Sequence, residues 1–210
     1  MLTKLKKTLQ SLITVEAKAM HRAGLTPNVV STVGVMLGVA SGFAYWAAGT
    51  NSATSSLYGV YLLSAVLLLL ASGFCDALDG ALARLYVETS VFGGFLDSLL
   101  DRYVDAAVYC GLILGGLCDP SWGLLALIGS LLTSYARARS EAAMVPMESI
   151  GLLERAERLL IIAIASVFSL FWPESSALRW SIIILALATN FTVLQRMIYF
   201  SRKMRSLKTK

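Results

Sequence analysis

An uninterrupted apolar run, LYGVYLLSAVLLLLASGF at residues 57–74, most limits how this chain folds. A run of about 20 apolar residues matches the length of a helix that crosses the hydrocarbon core of a bilayer. Similar runs recur along the chain, and hydrophobic residues make up 57% of the sequence against 15% charged residues. Soluble proteins average about 25% charged residues. The sequence therefore predicts an all-α integral membrane protein.

Six transmembrane helices explain the apolar pattern with the fewest elements. Their predicted ranges are 28–49, 57–74, 93–117, 122–144, 155–172 and 178–200. The first twenty residues, MLTKLKKTLQSLITVEAKAM, place apolar side chains on one helical face and lysines elsewhere, which predicts an N-terminal amphipathic interfacial helix. The chain then divides into a juxtamembrane helix at 1–25, a six-helix transmembrane domain at 26–200 and a basic tail at 201–210.

Lysine and arginine are concentrated on one side of this predicted topology. The N-terminal segment and the tail are rich in both, whereas the connections at 50–56, 118–121 and 173–177 contain neither. Because cytoplasmic loops carry the excess of basic residues, both termini are predicted on the cytoplasmic side of the cell membrane. The net charge of +5 is attributed to basic residues at the cytoplasmic edges of the membrane domain, so no nucleic acid partner is predicted.

Four aspartates lie where the second predicted helix ends and the third begins. Asp76 and Asp79 are three residues apart, and Asp97 and Asp101 are four apart, so each pair shares a helix face. Converging carboxylates repel one another unless cations neutralise them. Mg²⁺ and Mn²⁺ prefer oxygen ligands, and paired metal ions suit displacement at phosphorus. The spacing predicts a divalent-cation site that opens to the cytoplasm.

Small residues and one arginine accompany the aspartates. Gly80, Ala83 and Gly93 would let a nucleotide or phosphate approach the backbone, and Arg84 would pair with a phosphate. A divalent-cation transporter is the alternative class. A cation pathway has no evident need for Arg84 beside the ligands. Transporters often have repeated halves, and the sequence contains no second copy of the acid motif. If only two of these residues are considered, without the full spacing, a buried acid network remains an alternative.

The pattern resembles the signature of the CDP-alcohol phosphotransferase family, D-x2-D-G-x2-A-R-x8-G-x3-D-x3-D, at every signature position. The resemblance implies transfer of a phosphatidyl or archaetidyl group from a CDP-linked lipid to an alcohol, with release of CMP, by a homodimer in the bilayer. It implies that two Mg²⁺ or Mn²⁺ ions are held by the four aspartates and that Asp101 is the general base. Nucleotide binding is assigned to Asp76, Gly80, Ala83, Arg84 and Gly93. Asn28, after the helix-start proline, is a further nucleotide candidate or a capping residue.

The acceptor is predicted from arginines outside the signature. Three arginines around one cavity suit an acceptor that carries a phosphate. The stretches SYARARSEA (134–142) and GLLERAER (151–158) are similar to segments of the inositol-phosphate-using branch of the family. That resemblance implies inositol phosphate binding by Ser134, Arg137, Arg155 and Arg196.

Three alternatives to this acceptor pocket stay open. Glycerol 3-phosphate is also a phosphorylated acceptor, and its use would make the protein a phosphatidylglycerol-phosphate synthase. The arginines also fit positive-inside topology with local pairing, such as Glu154 with Arg158. Asp105, one turn beyond Asp101, would orient Arg102, bind an acceptor hydroxyl or belong to a satisfied polar network.

Overall fold

The computed structural model describes residues 14, 16–18, 21, 24, 26–51, 55–86, 90–147 and 150–208. Among these residues the secondary structure is helical, without a β-strand, which confirms the predicted all-α class. The described chain forms six long helices: α1 Pro27–Gly49, α2 Ser56–Leu85, α3 Val91–Leu114, α4 Pro120–Ala142, α5 Arg155–Phe171 and α6 Ala177–Lys208. A 3₁₀ turn, Pro173–Ser175, separates α5 from α6.

Three described segments are long and apolar enough to cross a membrane. They are Pro27–Gly49, Ser56–Leu85 and Pro173–Ser206. Helices also lie at the other three predicted spans, but α5 has only 17 residues. Helix α3 carries three aspartates, Asp97, Asp101 and Asp105. Together these features indicate a helical membrane protein, and the six-span topology stays a prediction.

Two helices extend beyond their predicted ends. Helix α2 continues to Leu85, so CDALDGALAR lies within the helix that carries the apolar run. Helix α6 continues to Lys208, so most of the predicted basic tail is helical. Hydropathy alone does not show either end, because helix-favouring residues such as Ala, Leu, Arg and Lys continue the helix after the apolar pattern stops. The shared helix face predicted for Asp76 and Asp79 agrees with the longer α2.

The predicted amphipathic helix at 1–25 lies mostly outside the described residues. Of the part that is described, Ala17 is fully buried in a small apolar cluster with Val30 and Leu78. The ring of His21 stacks on Tyr86, with ring centroids 3.4 Å apart. These contacts join the N-terminal segment to the C-terminal end of α2.

Glycines on α1 let two other helices approach it closely. A Cβ atom at Gly34 would lie 2.9 Å from Cys75 Cβ on α2. A Cβ atom at Gly42 would collide with the backbone carbonyl of Ala107 on α3. Small residues allow such close packing between membrane helices. Helix α1 therefore packs closely against both α2 and α3. Its contact with α2 lies at Cys75, the residue next to Asp76.

The remaining helices complete one bundle around a shared apolar core. Helix α4 packs on α3 and α6, and α5 packs on α2 and α6. Fully buried side chains from these helices meet in the core, among them Leu62, Leu69, Val108, Leu112, Ile162 and Leu185. This packing fixes the start of α5 beside the aspartates of α2 and α3.

Candidate active site

Three of the four signature aspartates form a close cluster. Asp76 on α2 and Asp97 and Asp101 on α3 each place one carboxylate oxygen within 4.8 Å of the others. Carboxylates at this separation favour a cation between them. Three carboxylate oxygens are the donor type that Mg²⁺ and Mn²⁺ prefer. The residues of this acidic cluster therefore fit a hard divalent ion.

The fourth signature aspartate, Asp79, lies beside the acidic cluster. It is 7% exposed, and it accepts a hydrogen bond from the Ser31 hydroxyl of α1. Asp79 and Ser31 line the same small cavity as the three clustered aspartates. Ser31 could not be predicted from the signature, because it lies on another helix and has no spacing relationship to the four aspartates.

A second cavity, of about 220 Å³, opens between α1, α2 and α3. We call it the glycine cavity. Its lining includes all the predicted nucleotide-binding residues except Asp76, namely Asn28, Gly80, Ala83, Arg84 and Gly93. A Cβ atom at Gly80 would lie 3.3 Å from Arg84 Nη1, and one at Gly93 would lie 2.9 Å from Ser90 Oγ. Glycine at both positions therefore leaves room beside the backbone.

A third cavity, of about 410 Å³, lies between the first half of α3, the end of α4, the start of α5 and the middle of α6. We call it the arginine cavity. Its lining includes the four predicted acceptor residues, Ser134, Arg137, Arg155 and Arg196. Asp97 lines both the glycine cavity and the arginine cavity. The acidic cluster thus lies where the two cavities meet.

Arg155 joins the arginine cavity to the acidic cluster. Its Nη1 atom lies 2.8 Å from Asp101 Oδ1 and 3.3 Å from Asp76 Oδ2. Arg155 is the first residue of α5, where the helix dipole disfavours a cation. The nearby carboxylates offset that cost. The Glu157 side chain accepts the backbone N–H of Glu154 at 2.8 Å, which fixes the start of the helix.

The other two predicted acceptor arginines have different surroundings. Arg137 is exposed, and its Nε atom lies 2.8 Å from Glu141 Oε1. Arg196 is 6% exposed and donates to two backbone carbonyls, from Nε to Ile150 at 2.8 Å and from Nη1 to Thr133 at 2.6 Å. Arg196 therefore ties α4 to the segment that precedes α5, while it also lines the cavity.

Asp105 belongs to a buried polar network, one of the alternatives that the sequence left open. Its carboxylate lies 3.2 Å from Arg155 Nε and 3.2 Å from Arg158 Nη2. Arg158 therefore pairs with Asp105, and the suggested local pairing with Glu154 is wrong. Asp105 does not pair with Arg102 either, whose Nη1 lies 3.7 Å from Asp101 Oδ2.

Comparison with known proteins identifies the family. Residues 24–194 match the model of the CDP-alcohol phosphatidyltransferase family. The chain belongs to this family. An archaetidylinositol phosphate synthase of Pyrococcus horikoshii is 35% identical over 203 residues, which cover 97% of each chain. One from Methanothermobacter thermautotrophicus is 42% identical over 147 residues, covering 69% of this chain and 73% of that protein.

Solved structures of a related enzyme share the fold. The phosphatidylinositol phosphate synthase of Mycobacterium tuberculosis with CDP-DAG bound matches with a TM-score of 0.75 at 30% identity, over 90% of this chain and 94% of that one. Its complex with manganese and citrate gives a TM-score of 0.75 at 31% identity, over 90% and 88%. The family indicated by the aspartate signature is confirmed. Membership of this family favours a transferase over a cation transporter.

Proposed function

We propose that this CDP-alcohol phosphatidyltransferase moves a phosphatidyl or archaetidyl group from a CDP-linked lipid to a hydroxyl of inositol phosphate and releases CMP. One observation carries the proposal: the acidic cluster lies between the glycine cavity and the arginine cavity, and Asp97 lines both. A donor and an acceptor can therefore meet at the carboxylates. The inositol phosphate products named for the relatives support the choice of acceptor.

The glycine cavity is the proposed site for the cytidine diphosphate of the donor. Gly80 and Gly93 leave space for the nucleotide beside the backbone, and Arg84 pairs with a phosphate. CDP-DAG in the mycobacterial relative supports a CDP-lipid as donor. Asp76, Asp97 and Asp101, with Asp79 beside them, would hold two Mg²⁺ or Mn²⁺ ions. When bound, such ions neutralise charge on the diphosphate and on the departing CMP.

Asp101 is the proposed general base. It lines the arginine cavity, where the acceptor would bind, and belongs to the acidic cluster. The acceptor hydroxyl oxygen forms a bond to the lipid-side phosphorus, and the bond from that phosphorus to the bridging oxygen breaks. The hydroxyl proton passes to the Asp101 carboxylate, and the electron pair of the broken bond leaves with CMP. The protein chain contributes mainly by positioning both substrates at the acidic cluster.

The arginine cavity is the proposed site for the phosphate of the acceptor. Arg137 and Arg155 are donors suited to a phosphate, and the N-terminus of α5 adds a favourable dipole for an anion. Ser134 supplies a hydroxyl, and Arg196 lines the cavity while holding its wall. An acceptor without a phosphate, such as serine or free inositol, would not need these cations.

We also propose that all six helices cross the bilayer and that the catalytic domain covers residues 26–200. The basic residues at both ends of the chain support cytoplasmic termini and an active site open to the cytoplasm. In this orientation the lipid tails of the donor remain in the bilayer while a water-soluble acceptor enters the arginine cavity. The homodimer implied by the family resemblance stays a prediction.

An acceptor competition assay tests the proposal. Purified protein receives CDP-diacylglycerol or CDP-archaeol with Mg²⁺ or Mn²⁺, and equal amounts of inositol phosphate, glycerol 3-phosphate, serine and free inositol. We expect CMP release with inositol phosphate as the preferred acceptor, and its loss when a chelator removes the metal. Absence of CMP release with every acceptor overturns the transferase proposal. Preference for glycerol 3-phosphate overturns the choice of acceptor.

A further inference from the structure

Asp105 is a buried carboxylate that contacts two arginines of another helix. It lies one turn beyond Asp101 on α3 and is 3% exposed. Its Oδ1 atom lies 3.2 Å from Arg155 Nε, and its Oδ2 atom lies 3.2 Å from Arg158 Nη2. The two oxygens of one side chain thus connect α3 to the first turn of α5.

The two contacts have different consequences. Arg158 is also 3% exposed, so its ion pair with Asp105 gives a buried guanidinium a partner of opposite charge. Arg155 uses a different part of its side chain for each carboxylate. Its Nε atom faces Asp105 and its Nη1 atom faces Asp101. Because a guanidinium group is planar, a contact at Nε fixes the direction in which the rest of the group points.

We propose that Asp105 is a positioning residue for the transfer reaction. By holding Nε of Arg155, it keeps that guanidinium between the acidic cluster and the arginine cavity, where the phosphate of the acceptor binds. An arginine held before the acceptor arrives loses less conformational freedom on binding, which favours affinity. The inference rests on the proposed function and adds to it a residue outside the family signature.

The experiment is a double-mutant cycle on acceptor kinetics. In Asp105→Asn, we expect the KM for inositol phosphate to rise about tenfold, because Arg155 loses its anchor, while the KM for the CDP-lipid stays within about twofold. In an Arg155→Ala background, Asp105→Asn should change the acceptor KM by less than about twofold, because the side chain through which it acts is gone.

Asp119→Asn is a control for the neutralisation of a carboxylate away from the site. Asp119 also accepts hydrogen bonds through its carboxylate, from the backbone N–H groups of Ser121 and Trp122 at the start of α4, and it lines neither cavity of the proposed site. We expect this change to leave both KM values unaltered. A general effect of losing a hydrogen-bonded carboxylate would appear in both variants, whereas a positioning effect appears only at Asp105.

Two results would overturn the inference. One is a lower Tm and kcat in Asp105→Asn with an unchanged acceptor KM, which indicates a purely structural role. The other is an effect of Asp105→Asn that is just as large without Arg155. If Asp105→Asn does not fold, Asp105→Glu keeps the charge and moves the carboxylate by one methylene. A raised acceptor KM in this variant supports the inference, and a wild-type KM overturns it.

The wild-type protein separates this inference from the proposed function. If wild-type protein releases no CMP with inositol phosphate, the proposed function fails and the role of Asp105 falls with it. If wild-type protein is active and the Asp105 variants keep its acceptor KM, only the role of Asp105 is wrong.

Discussion

Arg155 Nη1 lies 2.8 Å from Asp101 Oδ1, so the first side chain of α5 contacts the acidic cluster directly. The same nitrogen lies 3.3 Å from Asp76 Oδ2 on α2. Arg155 also lines the arginine cavity. One guanidinium group therefore lies between the carboxylates and the space proposed for the phosphate of the acceptor.

Replacement of Arg155 tests this position. In Arg155→Ala, we expect the KM for inositol phosphate to rise about 10- to 100-fold, because a hydrogen bond to a charged group contributes about 1.5–3 kcal/mol. Arg155→Lys should recover only part of the loss, since an ammonium group cannot reproduce the planar guanidinium contact. Initial rates at saturating CDP-lipid measure the effect. An unchanged acceptor KM in Arg155→Ala would show that the acceptor phosphate binds elsewhere.

Arg137 and Arg139 offer a matched pair on one helix. Arg137 lines the arginine cavity, whereas Arg139 lines a separate apolar groove between α4 and α6. We expect Arg137→Ala to raise the acceptor KM severalfold and Arg139→Ala to leave it unchanged. The Tm of Arg137→Ala should stay close to that of the wild type, because an exposed ion pair with Glu141 contributes little, about 0–1 kcal/mol. Equal effects of the two changes would indicate a general response to lost positive charge.

Asp101→Asn separates base catalysis from substrate binding. The change keeps the shape of the side chain but removes its ability to accept the acceptor proton. We expect CMP release to fall about 10²- to 10⁴-fold, the usual range for loss of a general base. Nucleotide binding, measured by equilibrium dialysis with CDP in the presence of Mn²⁺, should persist. Loss of that binding would instead make Asp101 mainly a metal ligand.

The acidic cluster was predictable because its spacing is local. The intervals from Asp76 to Asp79 and from Asp97 to Asp101 each place two side chains on one helix face, whatever the rest of the bundle does. What the spacing did not reveal is that Asp79 lies apart from the close cluster and bonds to Ser31. That difference depends on α1, which carries no part of the signature.

The contacts of Asp105 could not be predicted from the sequence, for a related reason. Sequence periodicity relates Arg158 to Glu154, one turn away on the same helix, and that pairing was wrong. The actual partner, Asp105, is remote in sequence and is brought near because α1 packs on both α2 and α3 while α5 packs on α2. Hydropathy predicted where the six helices lie, although not all of their ends. Contacts between helices depend on which helix faces meet, and hydropathy does not show this.

The hydrogen bond from Ser31 to Asp79 provides a further test. Ser31→Ala removes a donor from a carboxylate that is 7% exposed. Loss of a hydrogen bond to a buried carboxylate costs about 1–3 kcal/mol, so we expect a lower free energy of unfolding. Ser64→Ala is the control, because the Ser64 hydroxyl donates to the Val60 carbonyl within its own helix, at 2.8 Å. Thermal unfolding in detergent compares the two, and equal Tm values would show that the Ser31 contact adds no stability.

The close packing of α1 on α3 can be tested by its effect on the stability of the helix bundle. A Cβ atom at Gly111 would collide with the backbone carbonyl oxygen of Gly42, and neither backbone can move as freely as a flexible side chain. We expect Gly111→Ala to lower the free energy of unfolding by about 1–3 kcal/mol, as overpacking of a well-filled interior does. Gly73→Ala is the matched control, since a Cβ atom there meets no heavy atom within 4 Å. Its Tm should equal or exceed that of the wild type, because alanine favours helix more than glycine does. If both variants unfold at the wild-type temperature, α1 and α3 do not pack through this glycine contact.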